Sequence, residues 1–226
     1  MRNLLICLIT LLPGLAAAQI PPRAAEVSRY TGLHAAAHRG DVADIERLIS
    51  SKADLNARDA YGRTPLHVAT HAGKVDAIRT LIKAGANHAL LENDRYDAIT
   101  IASVANNEDA LRMLLSLGAS AKLITSRYDG TALIAAAHLG HAGVVKQLIA
   151  AGAPLDHVNN LHWTALIESI VLGDGGARHT ETLRALVSAG ANLQLADRNG
   201  NTPLKLAQGR GYKAMGEILE KAGAKP

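Results

Sequence analysis

Thr64-Pro65-Leu66-His67-Val68-Ala69, followed by Gly73 and then by Ala84-Gly85-Ala86, is the stretch whose reading decides the fold. Thr64 can cap free helix N–H groups with its hydroxyl, and Pro65 suits the first helical position. Gly73 ends that helix, because glycine tolerates the left-handed backbone at a helix C-terminus. Between Gly73 and Gly85, the residues Ile78, Leu81 and Ile82 set three apolar side chains on one face of a second helix. Ala84-Gly85-Ala86 closes the unit, which therefore reads as two short helices and a turn.

The unit recurs along the chain. Gly-Ala pairs stand at Gly85, Gly118, Gly152, Gly190 and Gly223, at intervals of 33, 34, 38 and 33, and Lys52-Ala53 extends the series upstream by another 33. A second marker runs through Thr31, Thr64, Asp97, Thr131, Thr164 and Thr202, at intervals of 33, 33, 34, 33 and 38. Two independent markers with one period identify a repeat architecture. Leu33, Leu66, Ile99, Leu133, Leu166 and Leu204 follow the second marker, and the small residues Ala36, Ala69, Ala102, Ala136, Ser169 and Ala207 come three later. Small side chains there let helices of neighbouring units approach closely. Gly40, Gly73, Asn106, Gly140, Gly173 and Gly211 are expected to end the first helices. The sixth unit puts Glu220 where the others are apolar, as a terminal repeat with one uncovered face requires.

Thr64-Pro65-Leu66-His67 with Gly73 and Ala84-Gly85-Ala86 resembles the ankyrin repeat, and the resemblance runs from about Arg29 to Ala224. It implies an all-α solenoid of about six helix-turn-helix repeats with projecting hairpin loops, 29–59, 60–92, 93–125, 126–159, 160–197 and 198–226, after a linker at 19–28. It also implies that His34 and His67, at the Thr-Pro-Leu-His position, hydrogen-bond the hairpin backbone. The third unit, Asp97-Ala98-Ile99-Thr100, departs most from the pattern, and a looser helix start is expected there. The fifth carries five extra residues, expected in the loop Asp174–His179.

Composition agrees with thin layers. The 226 residues are 48% hydrophobic but only 3% aromatic, with five Tyr, one Trp and no Phe, so the core is built from small aliphatic side chains. Residues 1–18 read as a signal peptide: Arg2, an apolar run from Leu4 to Leu12, Pro13-Gly14, and Ala16-Ala17-Ala18 for cleavage. The run is shorter than the ~20 residues of a spanning helix. Cys7, the one cysteine, falls inside it, which leaves the mature chain without a disulfide, a thiolate nucleophile or a Cys-type zinc site. The expected location is periplasmic or secreted, and the expected mature chain is a monomer free of the membrane. The formal charge is +4, too small to argue for nucleic acid.

No nucleophile elbow, triad order or metalloprotease signature occurs, so the chain reads as a non-enzyme without cofactor or metal. Single carboxylates such as Glu168 and Asp156 have no partner identifiable from spacing. His34/His38 and His67/His71 have the four-residue spacing of a zinc pair but lack the accompanying Glu. A metal- or small-ligand site using histidines or the 173–179 loop is the alternative reading, with Asp174, Arg178 and His179 as its polar cluster.

The aromatic positions point instead to a protein partner. Tyr30, Tyr96 and Trp163 stand one residue before the Thr marker, and Tyr61 and Tyr128 stand three before it. All five are expected at hairpin tips, accompanied by Arg63, Arg95 and Arg127. Tyr and Arg concentrate binding energy at interfaces. The ends of the first helices, including His38, Arg39, His71, His138 and Leu139, vary in chemistry while the scaffold positions stay fixed. Together these residues are expected to form a recognition surface for a partner with an acidic rim, with histidine-based pH dependence near pH 6–7.

Overall fold

The structure is a computed structural model that describes residues 21–225; the expected signal peptide, with Cys7, lies outside them. A helical turn, α1 (Ala24–Val27), precedes six helix pairs: α2 (Gly32–Arg39) with α3 (Val42–Ser50), α4 (Pro65–His71) with α5 (Val75–Lys83), and α6 (Ala98–Val104) with α7 (Glu108–Ser116). Then follow α8 (Ala132–His138) with α9 (Ala142–Ala150), α10 (Ala165–Val171) with α11 (Ala177–Ser188), and α12 (Pro203–Gly209) with α13 (Lys213–Lys221). The first helices stack in one row, α2 to α12, and the second helices in another, α3 to α13. Among the described residues the strands are β1 (Ile124–Thr125) and β2 (Gly130–Thr131), an antiparallel pair in the fourth hairpin. No helix of the described residues is long and apolar enough to cross a membrane.

The caps follow from the marker residues. The hydroxyls of Thr131, Thr164 and Thr202 accept the N–H three residues on at 3.2–3.3 Å. In the third unit the expectation of a looser start is corrected: Asp97 accepts both the backbone N–H and the hydroxyl of Thr100, at 2.8 and 2.6 Å, in a fully buried site. A carboxylate is a strong N-cap, and burial of the cap tightens rather than loosens the turn.

The core runs continuously between the two rows. Ala36, Ala69, Ala102, Ala136, Ser169 and Ala207 are completely buried where first helices meet. Leu33, Ile45, Leu66, Ile78, Leu111, Leu148 and Leu183 fill the layers between the rows. Met215 and Leu219 complete the last layer, and Glu220 is exposed on the uncovered face.

The fifth unit departs from its expected form. Ala177, Arg178 and His179 belong to α11, which runs 12 residues instead of nine, so the extra residues lengthen the helix as well as the loop. Gly173 is not left-handed; it is required because an added Cβ would lie 2.1 Å from the Ser169 carbonyl oxygen. The His179 ring takes the remaining space, with Nδ1 at 2.8 Å from the acceptor Asp174 Oδ1 and Nε2 at 2.9 Å from the His138 carbonyl oxygen. Tyr212 donates to the Gly173 carbonyl at 2.9 Å. The glycine-rich loop is thus pinned on two sides.

Candidate functional site: the hairpin row and a cavity beneath it

The hairpins share one internal frame. The side chains of Asp59, Glu92, Ser126, Asn159 and Asp197 each accept the N–H groups two and four residues on, at 2.8–3.3 Å. Three residues on, the chain turns through left-handed backbone, at Gly62 and Gly200 but also at Arg95 (φ 66), Asp129 (φ 52) and His162 (φ 64). This frame separates two positions that look alike in sequence. The residue three before the helix cap stands at the tip, and Tyr61 and Tyr128 are the exposed rings there, at 41% and 36%. The residue one before the cap points inward. Arg63 and Tyr96 are buried there, while Tyr30 and Trp163 are half-buried. The expectation of five surface rings is corrected accordingly.

The arginines are largely committed within the chain. Arg63 donates to Glu26 and to Asp59, both at 2.7 Å, and its guanidinium lies 4.5 Å from the Tyr61 ring centroid. Tyr30 donates to the same Asp59 oxygen, Oδ2, at 2.8 Å. Burial would raise the Asp59 carboxyl, but the hydrogen bonds from Arg63 and Tyr30 outweigh it and hold its pKa below the usual value. Segment 19–28, read as a linker, thereby contributes α1 and Glu26 to the first hairpin. Arg95 pairs with Asp129 of the next hairpin at 3.0 Å, and Arg127 pairs with Asp94 of the preceding one. Arg39 is exposed beside Asp44 (3.2 Å) and Asp41 (3.6 Å).

Histidines tie α2 and α4 to the hairpins that follow them. His34 donates to the Arg63 carbonyl and His67 to the Leu90 carbonyl, each at 2.9 Å. His67 Nδ1 accepts the Thr64 N–H at 3.0 Å, so the proton sits on Nε2. Thr100 substitutes in the third unit, meeting the Thr125 hydroxyl at 3.0 Å. Burial pushes His67 and His71 down to about 4, and lowers His138 as well. For these three rings, burial inside the stack disfavours protonation. Among the described residues no three His, Cys, Asp or Glu side chains are grouped to hold a metal. His38 lies against Tyr30 (6.4 Å between centroids), Leu139 is half-buried, and Arg178 is exposed on α11.

The hairpin row and the helix ends meet at a cavity of about 60 Å³ lined by Tyr96, Thr125, Tyr128, His138, Asn159 and Glu168, among others. It brings together three residues expected on the recognition surface, Tyr96, Tyr128 and His138, and adds Glu168, which reads from sequence only as a lone carboxylate. Glu168 is 5% exposed; one oxygen accepts from Asn159 Nδ2 at 2.9 Å, and the other lies 3.5 Å from His138 Nδ1. Burial pushes its carboxyl up to about 7, only partly offset by the Asn159 hydrogen bond. A signal for it existed: Ala35, Val68, Ile101, Ala135 and Leu206 occupy the equivalent position in the other units, so Glu168 is the sole charge in an apolar column.

The comparisons with known proteins agree with this geometry. The family model for ankyrin repeats in three copies matches residues 33–125, 101–176 and 133–226. The ankyrin repeat protein YahD of Escherichia coli (strain K12) is 38% identical over 100 residues, 44% of this chain and 50% of YahD, so the match spans half the length of that relative. An ankyrin repeat domain from Acinetobacter baumannii AYE superposes with a TM-score of 0.81 at 44% identity, over 85% of this chain and 98% of that one. A chain in the complex of the predatory endopeptidase Bd0816 from Bdellovibrio bacteriovorus with the immunity protein Bd3460 superposes with a TM-score of 0.70 at 26% identity, over 85% and 98%. With the family model covering most of its length and six capped helix pairs in two stacked rows, this chain belongs to the ankyrin-repeat family.

Proposed function

We propose that the chain is an exported, non-enzymatic module that binds one protein partner through its hairpin tips and the neighbouring ends of the first helices. Ankyrin repeats are generally protein–protein interaction modules, and the fold is generally a binding scaffold. The observation that carries the reading is the placement of Tyr61 and Tyr128 at exposed tips of a hairpin row braced from within. Asn93 donates to the Tyr61 carbonyl at 3.0 Å and Asn160 to the Tyr128 carbonyl at 2.9 Å, so each ring is offered on a fixed backbone. Rigid aromatic side chains gain contact area at low entropic cost.

The apolar run and Ala16-Ala17-Ala18 support export. The resemblance to a chain from an endopeptidase–immunity complex supports a protein as the partner. Because Arg63, Arg95 and Arg127 are engaged within the chain, acidity of the partner is a weaker requirement than the sequence alone suggests. The test is affinity capture from the periplasmic fraction with wild type and with the Tyr61→Ala/Tyr128→Ala double variant. A partner held by the wild type and released by a variant with unchanged far-UV circular dichroism supports the reading. Equal capture by both proteins overturns it.

A further inference from the structure

Glu168 poses a problem of charge. Its carboxyl lies inside the stack, where an unpaired anion is costly unless a counter-charge or several hydrogen bonds offset the lost solvation. The chain supplies one hydrogen bond, from Asn159 to one oxygen. The second oxygen faces His138 at 3.5 Å, beyond hydrogen-bond range, and the ring's own protonation is disfavoured by burial. Neither Lys nor Arg lines the cavity.

The aromatic part of the lining suits a cation. Tyr96 and Tyr128 wall the cavity, and ring faces attract a cation. The phenols that donate to protein acceptors among the described residues are those of Tyr30 and Tyr212, so the hydroxyls of Tyr96 and Tyr128 are uncommitted. The volume of about 60 Å³ exceeds what a single water requires and accommodates a terminal ammonium with its adjoining methylene. A planar guanidinium is best met by two carboxylate oxygens in a fork, and Asn159 already occupies one. An ammonium is a point charge that one free oxygen can satisfy. Tyr128, 36% exposed, opens the cavity onto the hairpin row.

We propose that this cavity is a lysine subsite: the ε-ammonium of a lysine side chain carried by the protein partner enters past Tyr128 and pairs with the free oxygen of Glu168. The inference rests on the partner reading above and names one chemical feature of that partner. Its test does not need the partner. Nα-acetyl-lysine methylamide is titrated into the whole mature chain near pH 8, with the Tyr96, Tyr128 and His138 ring resonances followed by NMR. Saturable shifts are expected, with a Kd in the millimolar range. Glu168→Gln, which preserves shape and the Asn159 contact, should weaken binding at least tenfold. Tyr128→Leu, at an exposed position, should weaken it about threefold.

The norleucine analogue, which lacks the charge, and the arginine analogue should bind at least tenfold more weakly than the lysine analogue. Lysine-analogue binding that survives Glu168→Gln, or equal binding of the norleucine or arginine analogue, overturns the subsite. A subsite that binds the lysine analogue as expected, in a chain whose capture is indifferent to the tip tyrosines, overturns the partner reading alone.

Discussion

Replacing Glu168 by Gln should change how stability depends on pH, with a sign and size set by the buried site. Burial raises the carboxyl pKa to about 7 in the folded chain, against an ordinary value of 4.5. A raised folded pKa means that the native state holds the proton more tightly than the unfolded chain. The stabilisation is therefore complete below the unfolded value and is lost as pH rises towards and through 7. Integrating the two titrations between pH 5 and pH 8 gives a loss of about 2.5 kcal/mol attributable to this one group. Glutamine keeps the shape and the hydrogen bond from Asn159 but cannot ionise. Urea denaturation of both proteins at the two pH values isolates the effect. His67 and His71, whose lowered pKa values act in the opposite direction below pH 6.5, are common to both and cancel in the difference. The variant should gain about 2.5 kcal/mol relative to wild type on going from pH 5 to pH 8. A difference that stays constant within about 0.5 kcal/mol would refute the reasoning, because it would mean that the Glu168 carboxyl is solvated in the native chain.

Other substitutions separate buried from surface pairs. Arg63→Ala leaves Glu26 and Asp59 facing each other without their shared donor, and should cost about 3 kcal/mol in urea denaturation. Arg127→Ala, at a residue 71% exposed, should change stability by no more than about 0.5 kcal/mol despite its pairing with Asp94. Gly173→Ala would drive a methyl group into the Ser169 carbonyl, and a loss of about 1–3 kcal/mol is expected, visible as a lower melting temperature.

The repeat was legible because each unit carries its own signals. Thr64-Pro65, Gly73 and Ile78/Leu81/Ile82 act locally through capping, backbone freedom and helical periodicity, and six copies average out any one departure. The departures were harder. Asp97 and Thr100 replace Thr and His with a different but equally closed hydrogen-bond set, which becomes visible only when Thr125 of the next hairpin is placed beside them. Arg63 illustrates the same limit: its partner Glu26 lies 37 residues away, in a segment that reads as a linker. Tyr96 and Tyr128 look equivalent as hairpin aromatics, yet two residues of register decide which is buried and which stands at the tip. Glu168 has no partner at helical spacing and so reads as a lone carboxylate; only the repeat column, where it replaces Ala, Val, Ile and Leu, sets it apart.

The central claim is that a partner binds the tips of the braced hairpins. Its most direct measurement is the affinity of the captured partner for wild type and for the Tyr61→Ala/Tyr128→Ala variant, by calorimetry on purified proteins. Removing two exposed tip rings should weaken binding by about 2–4 kcal/mol, a factor of roughly thirty to a thousand, while far-UV circular dichroism is unchanged. Affinity within threefold of wild type, in a variant that remains folded, would contradict the account.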